Sequence, residues 1–114
     1  MSQQIDVGVE LTADDGAPVA FKFSCEQFEI NVFVPQAQLG LLHGVPEQAW
    51  AAGSIRAGHS AGASVFWSAG EPGLIAIMVG PDDQAWDISA SVPVSAFLAA
   101  LSKAESLASE ARGA

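Results

Sequence analysis

The sequence predicts a single α+β domain. Its antiparallel sheet is built from two tandem βββα-like halves related by a pseudo-two-fold axis, with helices packed on one face and a helix at the C-terminus. Three observations predict it. Short stretches alternate apolar and polar residues between Gly- and Pro-containing turns, the pattern of half-buried strands. One long stretch near the end carries apolar residues at helical spacing. Two segments that each run from a strand into a proline, FEINVFVP (28–35) and WDISASVP (86–93), match each other.

The elements follow in order. IDVGVEL (5–11) alternates strictly, with Ile5, Val7, Val9 and Leu11 on one face and Asp6, Gly8 and Glu10 on the other. The acids on its polar face suit an exposed edge strand. TADDGAP (12–18) carries Asp15-Gly16, a hairpin signal. VAFKFSC (19–25) and FEINVFV (28–34) are the next strands, and the phase changes between Cys25 and Phe28. A tight turn or bulge at Glu26-Gln27 accounts for that, because a one-residue slip exchanges the two faces.

Pro35 ends the strand. A short helix is expected over 35–44, stopped by Gly44, and a second helical turn over 46–53. Residues 54–64 are small and Gly-rich, a loop or weak edge strand, with a strand favoured through Ile55–Ala57. SVFWSA (64–69), GEPG (70–73) and LIAIMVG (74–80) form a second hairpin. PDDQ (81–84) turns into the strand AWDISASV (85–92), which Pro93 ends. Residues 94–111 are the clearest helix, with Phe97, Leu98, Leu101, Leu107 and Ala108 as its apolar stripe.

The matched segments pair aromatic with aromatic, acid with acid, Ile with Ile and Val-Pro with Val-Pro. A large apolar residue, Leu39 or Phe97, lies four positions beyond each proline. The repeat units are 5–52 and 60–111, within one domain spanning 1–114.

Charge narrows the function. Thirteen acidic residues against four basic ones give a formal net charge of −9. Lys22, Arg56, Lys103 and Arg112 are scattered and assemble no basic footprint, so nucleic acid is not an expected partner. An anionic membrane surface is disfavoured for the same reason. No apolar run approaches the roughly 18 residues of a membrane span. The start, MSQQIDVGVE, shows no secretory signal, and the single Cys25 permits no intramolecular disulfide; both fit a cytoplasmic protein. A basic protein is the electrostatically favoured partner.

The meander followed by a helix is similar to the halves of Pur-type and whirly-type single-strand binders. Those families read nucleic acid with basic and aromatic residues, and the basic half is missing here. Small, acidic α+β composition also resembles bacterial toxin-immunity proteins and type III secretion chaperones. The chaperone pattern opens with a helix, whereas this chain opens with a strand.

Candidate chemistry is sparse. Asp82, Asp83 and Asp87 gather near one turn, with Glu71 in the neighbouring hairpin. No EF-hand spacing accompanies them, and a partner-facing acidic patch is the functional reading. His43 and His59 have no ligand at metal spacing; His43 is expected at a helix C-terminus and His59 in the Gly-rich loop. Gly53, Gly58 and Gly62, with Ser54, Ser60 and Ser64, lack the phosphate-loop pattern. Trp67 is in phase with Val65 and faces inward, which leaves Phe66 and Phe33 on the opposite sheet face. An uncovered Phe33/Phe66 face marks a partner or self-association surface. No Ser-His-Asp, Cys-His or zinc spacing occurs, so no catalytic residue, metal or cofactor is expected.

The expected function is a non-enzymatic, protein-binding module that docks a basic partner, as an immunity or inhibitor protein does. The alternatives are a structural homo-oligomer joined through a sheet edge or exposed sheet face, and a small-ligand-binding domain or enzyme.

Overall fold

Alternation with period two becomes a sheet with two unlike faces. The computed structural model describes residues 6–11, 18–25, 29–82 and 86–113. Seven strands are present there: β1 (Asp6–Leu11), β2 (Val19–Ser24), β3 (Glu29–Val34), β4 (Ile55–Ser60), β5 (Ala63–Ala69), β6 (Leu74–Gly80) and β7 (Ile88–Pro93). They form one sheet in sequence order, and every neighbour is antiparallel. One long helix follows, α1 (Val94–Gly113). β1 and β7 are the sheet edges, and α1 packs against both, most heavily on β1. The sheet therefore curls round the helix, giving a concave face that holds the core and a convex face opposite.

The concave face takes Phe21 and Phe23 of β2, Val32 and Val34 of β3, Trp67 of β5 and Ile75 and Ile77 of β6, all buried. Trp67 is fully buried and meets Phe21 and Phe23 edge-on, with centroids 5.8 and 6.0 Å apart, and Phe97 of α1 at 5.8 Å. Each such side chain contributes roughly 1.5–3 kcal/mol by leaving water. The meander puts strands adjacent in sequence side by side, the usual outcome where connections are short.

Several expectations are corrected. The helix over 35–44 and the turn over 46–53 are consecutive 3₁₀ turns at Gln36–Glu47, running through Pro46, and a short one at Trp50–Ala52. The buried residues explain the difference: Leu39, Leu42 and Val45 recur every third position, which lines one face of a helix with three residues per turn. His43 accordingly lies inside this segment, where its Nε2 is 2.8 Å from Glu105 Oε2 of α1. His59 lies in β4, which extends to Ser60, and not in a loop. In α1 the buried stripe is Phe97, Leu101, Ala104 and Ala108, while Leu98 is 44% exposed. Small alanines let the helix approach the sheet closely, and Leu98 is turned about 100° away from Phe97. The turn expected at Glu26-Gln27 lies outside the described residues.

β3 and β7 each run through a proline into a helical segment, and Leu39 and Phe97 are both buried in the core. The second unit, 60–111, holds β5, β6 and β7, while β4 lies between the two units and reaches the second only at Ser60.

Candidate functional site

With the concave face filled, side chains free to meet another molecule stand on the convex face. Alternation along β5 sends Val65 and Trp67 into the core and Phe66 and Ser68 outward. Register then builds two rows across three strands. Ser68 pairs with Ala76, and Ala76 with Ser91; Phe66 pairs with Met78, and Met78 with Ser89. The first row is small throughout, whereas the second carries the large Phe66 and Met78 before ending in Ser89. The step between them is a groove of about 150 Å³ lined by Ser68, Gly70, Ala76, Met78, Trp86, Ser89 and Ser91.

Two features distinguish this groove. Trp86 is 40% exposed, an uncommon state for so large an apolar ring. Ser68 is fully buried, yet its Oγ has no hydrogen-bond partner among the described residues. A buried hydroxyl in that state is costly until something bonds it.

The predicted acids are only partly gathered. Asp87 follows Trp86 in the chain, and its backbone N–H donates to Val79 O at 2.8 Å. Asp82 lies in the same connection between β6 and β7; both carboxylate residues are exposed. Asp83 lies outside the described residues. Glu71 is exposed in the hairpin between β5 and β6, at the opposite end of β6. A strand of that length separates the two ends by about 20 Å. Proximity in sequence concealed this separation, because a meander alternates the ends at which its turns lie.

Phe33 and Phe66 do share the convex face, but they form no continuous apolar patch. Phe66 is 9% exposed. Phe33 is half-buried and stacks on His59, with centroids 5.9 Å apart. Arg56 pairs with Phe66 and His59 pairs with Phe33, so β4 sets two cationic-type residues between the phenylalanines.

Sequence reasoning missed Ser68, Ser89, Ser91 and Trp86 as a group. The available signal was small residues on the outward phase of three successive strands. Among the described residues, no group of three or more His, Cys, Asp or Glu is placed to hold a metal ion. No described helix is long and apolar enough to cross a membrane. Cys25 is half-buried, directly after β2. Compared with protein-family models, with curated proteins and with solved structures, the chain shows no match to any of them.

Proposed function

We propose that this protein is a non-enzymatic binding module of the cytoplasm that docks a basic protein through the β6–β7 end of its convex face. One observation carries the reading: the exposed Trp86 lines a groove that also holds the buried Ser68 hydroxyl, unbonded among the described residues, and the exposed Asp87 follows Trp86 in the chain. An aromatic anchor beside a pocket, with charge at its rim, is the anatomy of an interaction hot spot. The net charge of −9 selects the sign of the partner and speeds its encounter. An immunity or inhibitor protein works by such docking. The match between 5–52 and 60–111 supports an origin of the domain by duplication.

Self-association through the Phe33/Phe66 face has less to work with, since Phe66 is almost covered and Arg56 and His59 intervene.

The test starts from the tagged protein in its native cells, captured at low and high salt, and proceeds to titration calorimetry with the purified partner. A basic partner that binds one-to-one, with affinity falling as salt rises, is expected. Trp86→Ala should weaken it by about thirtyfold, the scale of a hot-spot residue. Charge reversal by Asp82→Lys with Asp87→Lys should slow association. A complex indifferent to all three substitutions would exclude this surface.

A further inference from the structure

A second cavity lies where β3 ends beside β4. It holds about 220 Å³ and is lined by Pro35, Gln38, Arg56, Ala57, Gly58, His59 and Ser64. We propose that it is a binding site for a small oxyanion, a carboxylate or a phosphate ester, held by Arg56, His59, Gln38 and Ser64.

The backbone brings these groups together. Arg56 and His59 are an odd number of residues apart, so a regular strand would place them on opposite faces. β4 is bulged between them. The irregularity returns both to the convex face, as Arg56 pairing with outward Phe66 and His59 stacking on Phe33 show. Gly58 makes the bulge. Its φ is +79°, and a Cβ there would lie 2.7 Å from Phe33 O and 2.9 Å from Val34 Cγ2.

At the bulge two backbone groups of β4 are bonded by side chains. Trp67 Nε1 donates to Ala57 O at 2.9 Å, and Gly58 N donates to Gln38 Oε1 at 2.9 Å. The strand is thus pinned from its core side and from the 3₁₀ segment.

Its chemistry is one-sided. Gln38 has spent its amide oxygen on Gly58, which leaves its amide nitrogen as a donor. Arg56 offers a guanidinium fork and has no ion pair among the described residues. His59 and Ser64 add a ring N–H and a hydroxyl. No Asp or Glu lines the cavity, although the chain holds thirteen acids and four basic residues. A guanidinium with no carboxylate partner among the described residues, in a cavity lined by further donors, fits a ligand that brings its own negative oxygens. The volume admits a compact organic acid as readily as phosphate itself.

The experiment titrates the ¹⁵N-labelled full chain with succinate, inorganic phosphate and glycerol 3-phosphate, using succinamide and glycerol as neutral controls. Saturable shifts at the Gly58, His59 and Ser64 amides are expected with the anions and not with the controls. Response to succinate alone assigns a carboxylate site; response to the phosphates alone assigns a phosphate site. Arg56→Gln, an exposed position whose replacement leaves the fold intact, should weaken binding about tenfold or more, the scale of losing a bidentate charged contact. Trp86→Ala should leave it unchanged, which separates this site from the docking groove. The proposal is overturned by absence of saturation with every anion. Shifts that sodium chloride reproduces, or that Arg56→Gln leaves untouched, overturn it equally.

Discussion

Ser68→Ala separates stability from binding. In the free protein the Ser68 hydroxyl is fully buried and has no hydrogen-bond partner among the described residues. Leaving such a group without a partner costs about 1–3 kcal/mol. Replacing it by a methyl hydrogen removes that cost and forfeits a few oxygen contacts of about 0.1–0.2 kcal/mol each. No closed cavity forms, because the side chain borders an open groove. The free protein should gain about 1 kcal/mol, taking the low end of the penalty. At about 2.1 cal/mol/K of unfolding entropy per residue, a chain of this length has about 240 cal/mol/K, so Tm should rise by about 4 °C. Scanning calorimetry reads this directly, and urea unfolding at constant m-value confirms the sign. The same substitution should weaken the partner complex about fivefold, since the groove then lacks its hydroxyl. Opposite signs in the two assays identify a polar atom held in reserve for a ligand. A fall in Tm would refute the reasoning, because it would mean that the hydroxyl is already bonded in the free protein.

Three further outcomes follow from the same geometry. Gly58→Ala forces a side chain into a left-handed backbone against Phe33 O, and should cost about 3 kcal/mol or more in urea unfolding; a loss under about 1 kcal/mol would show that β3 and β4 can part freely. Trp67→Phe deletes the donor to Ala57 O and leaves a hole among Phe21, Phe23 and Phe97. It should cost about 2–4 kcal/mol in the same assay and broaden the Gly58 amide resonance. His43→Ala breaks only a contact with Glu105 whose side chains are 58% and 41% exposed, so unfolding should change by less than about 0.5 kcal/mol.

The sheet was legible because its signal is local. Val19, Phe21 and Phe23 alternate on their own, and no distant residue is needed to see which face they bury. α1 was legible for the same reason. The helical character of 36–47 was legible from the Pro and Gly around it, but these punctuate either helix type; only the three-residue spacing of Leu39, Leu42 and Val45 marks it as 3₁₀. β4 was nearly lost because its bulge destroys the alternation by which strands are recognised. The sites were harder still. Ser68, Ala76 and Ser91 lie on three strands and become one row only through register, which depends on every turn between them. Glu71 was grouped with Asp82 and Asp87 by sequence distance, and a single strand carries it to the other end.

A curled meander wrapped on one helix divides its residues sharply. Every strand spends one phase on the core, so binding chemistry has only the other phase, and a regular convex face would be a flat ladder. Relief on that face has to be made by departures from regularity. Here two kinds occur. A row of small residues beside the large Phe66 and Met78 cuts a groove without disturbing the backbone. A bulge cuts a cavity by shifting the backbone itself, and needs Gly58, Gln38 and Trp67 to hold it. The two should answer differently to mutation. Substitutions along the small row, such as Ala76→Leu, should fill the groove and block the partner while the unfolding curve barely moves. Substitutions at the bulge should damage stability and anion binding together, because there the same hydrogen bonds maintain both. Partner titration and urea unfolding of Ala76→Leu and Gln38→Ala test that division. Equal loss of stability in both variants would show that the groove, too, is braced by the fold.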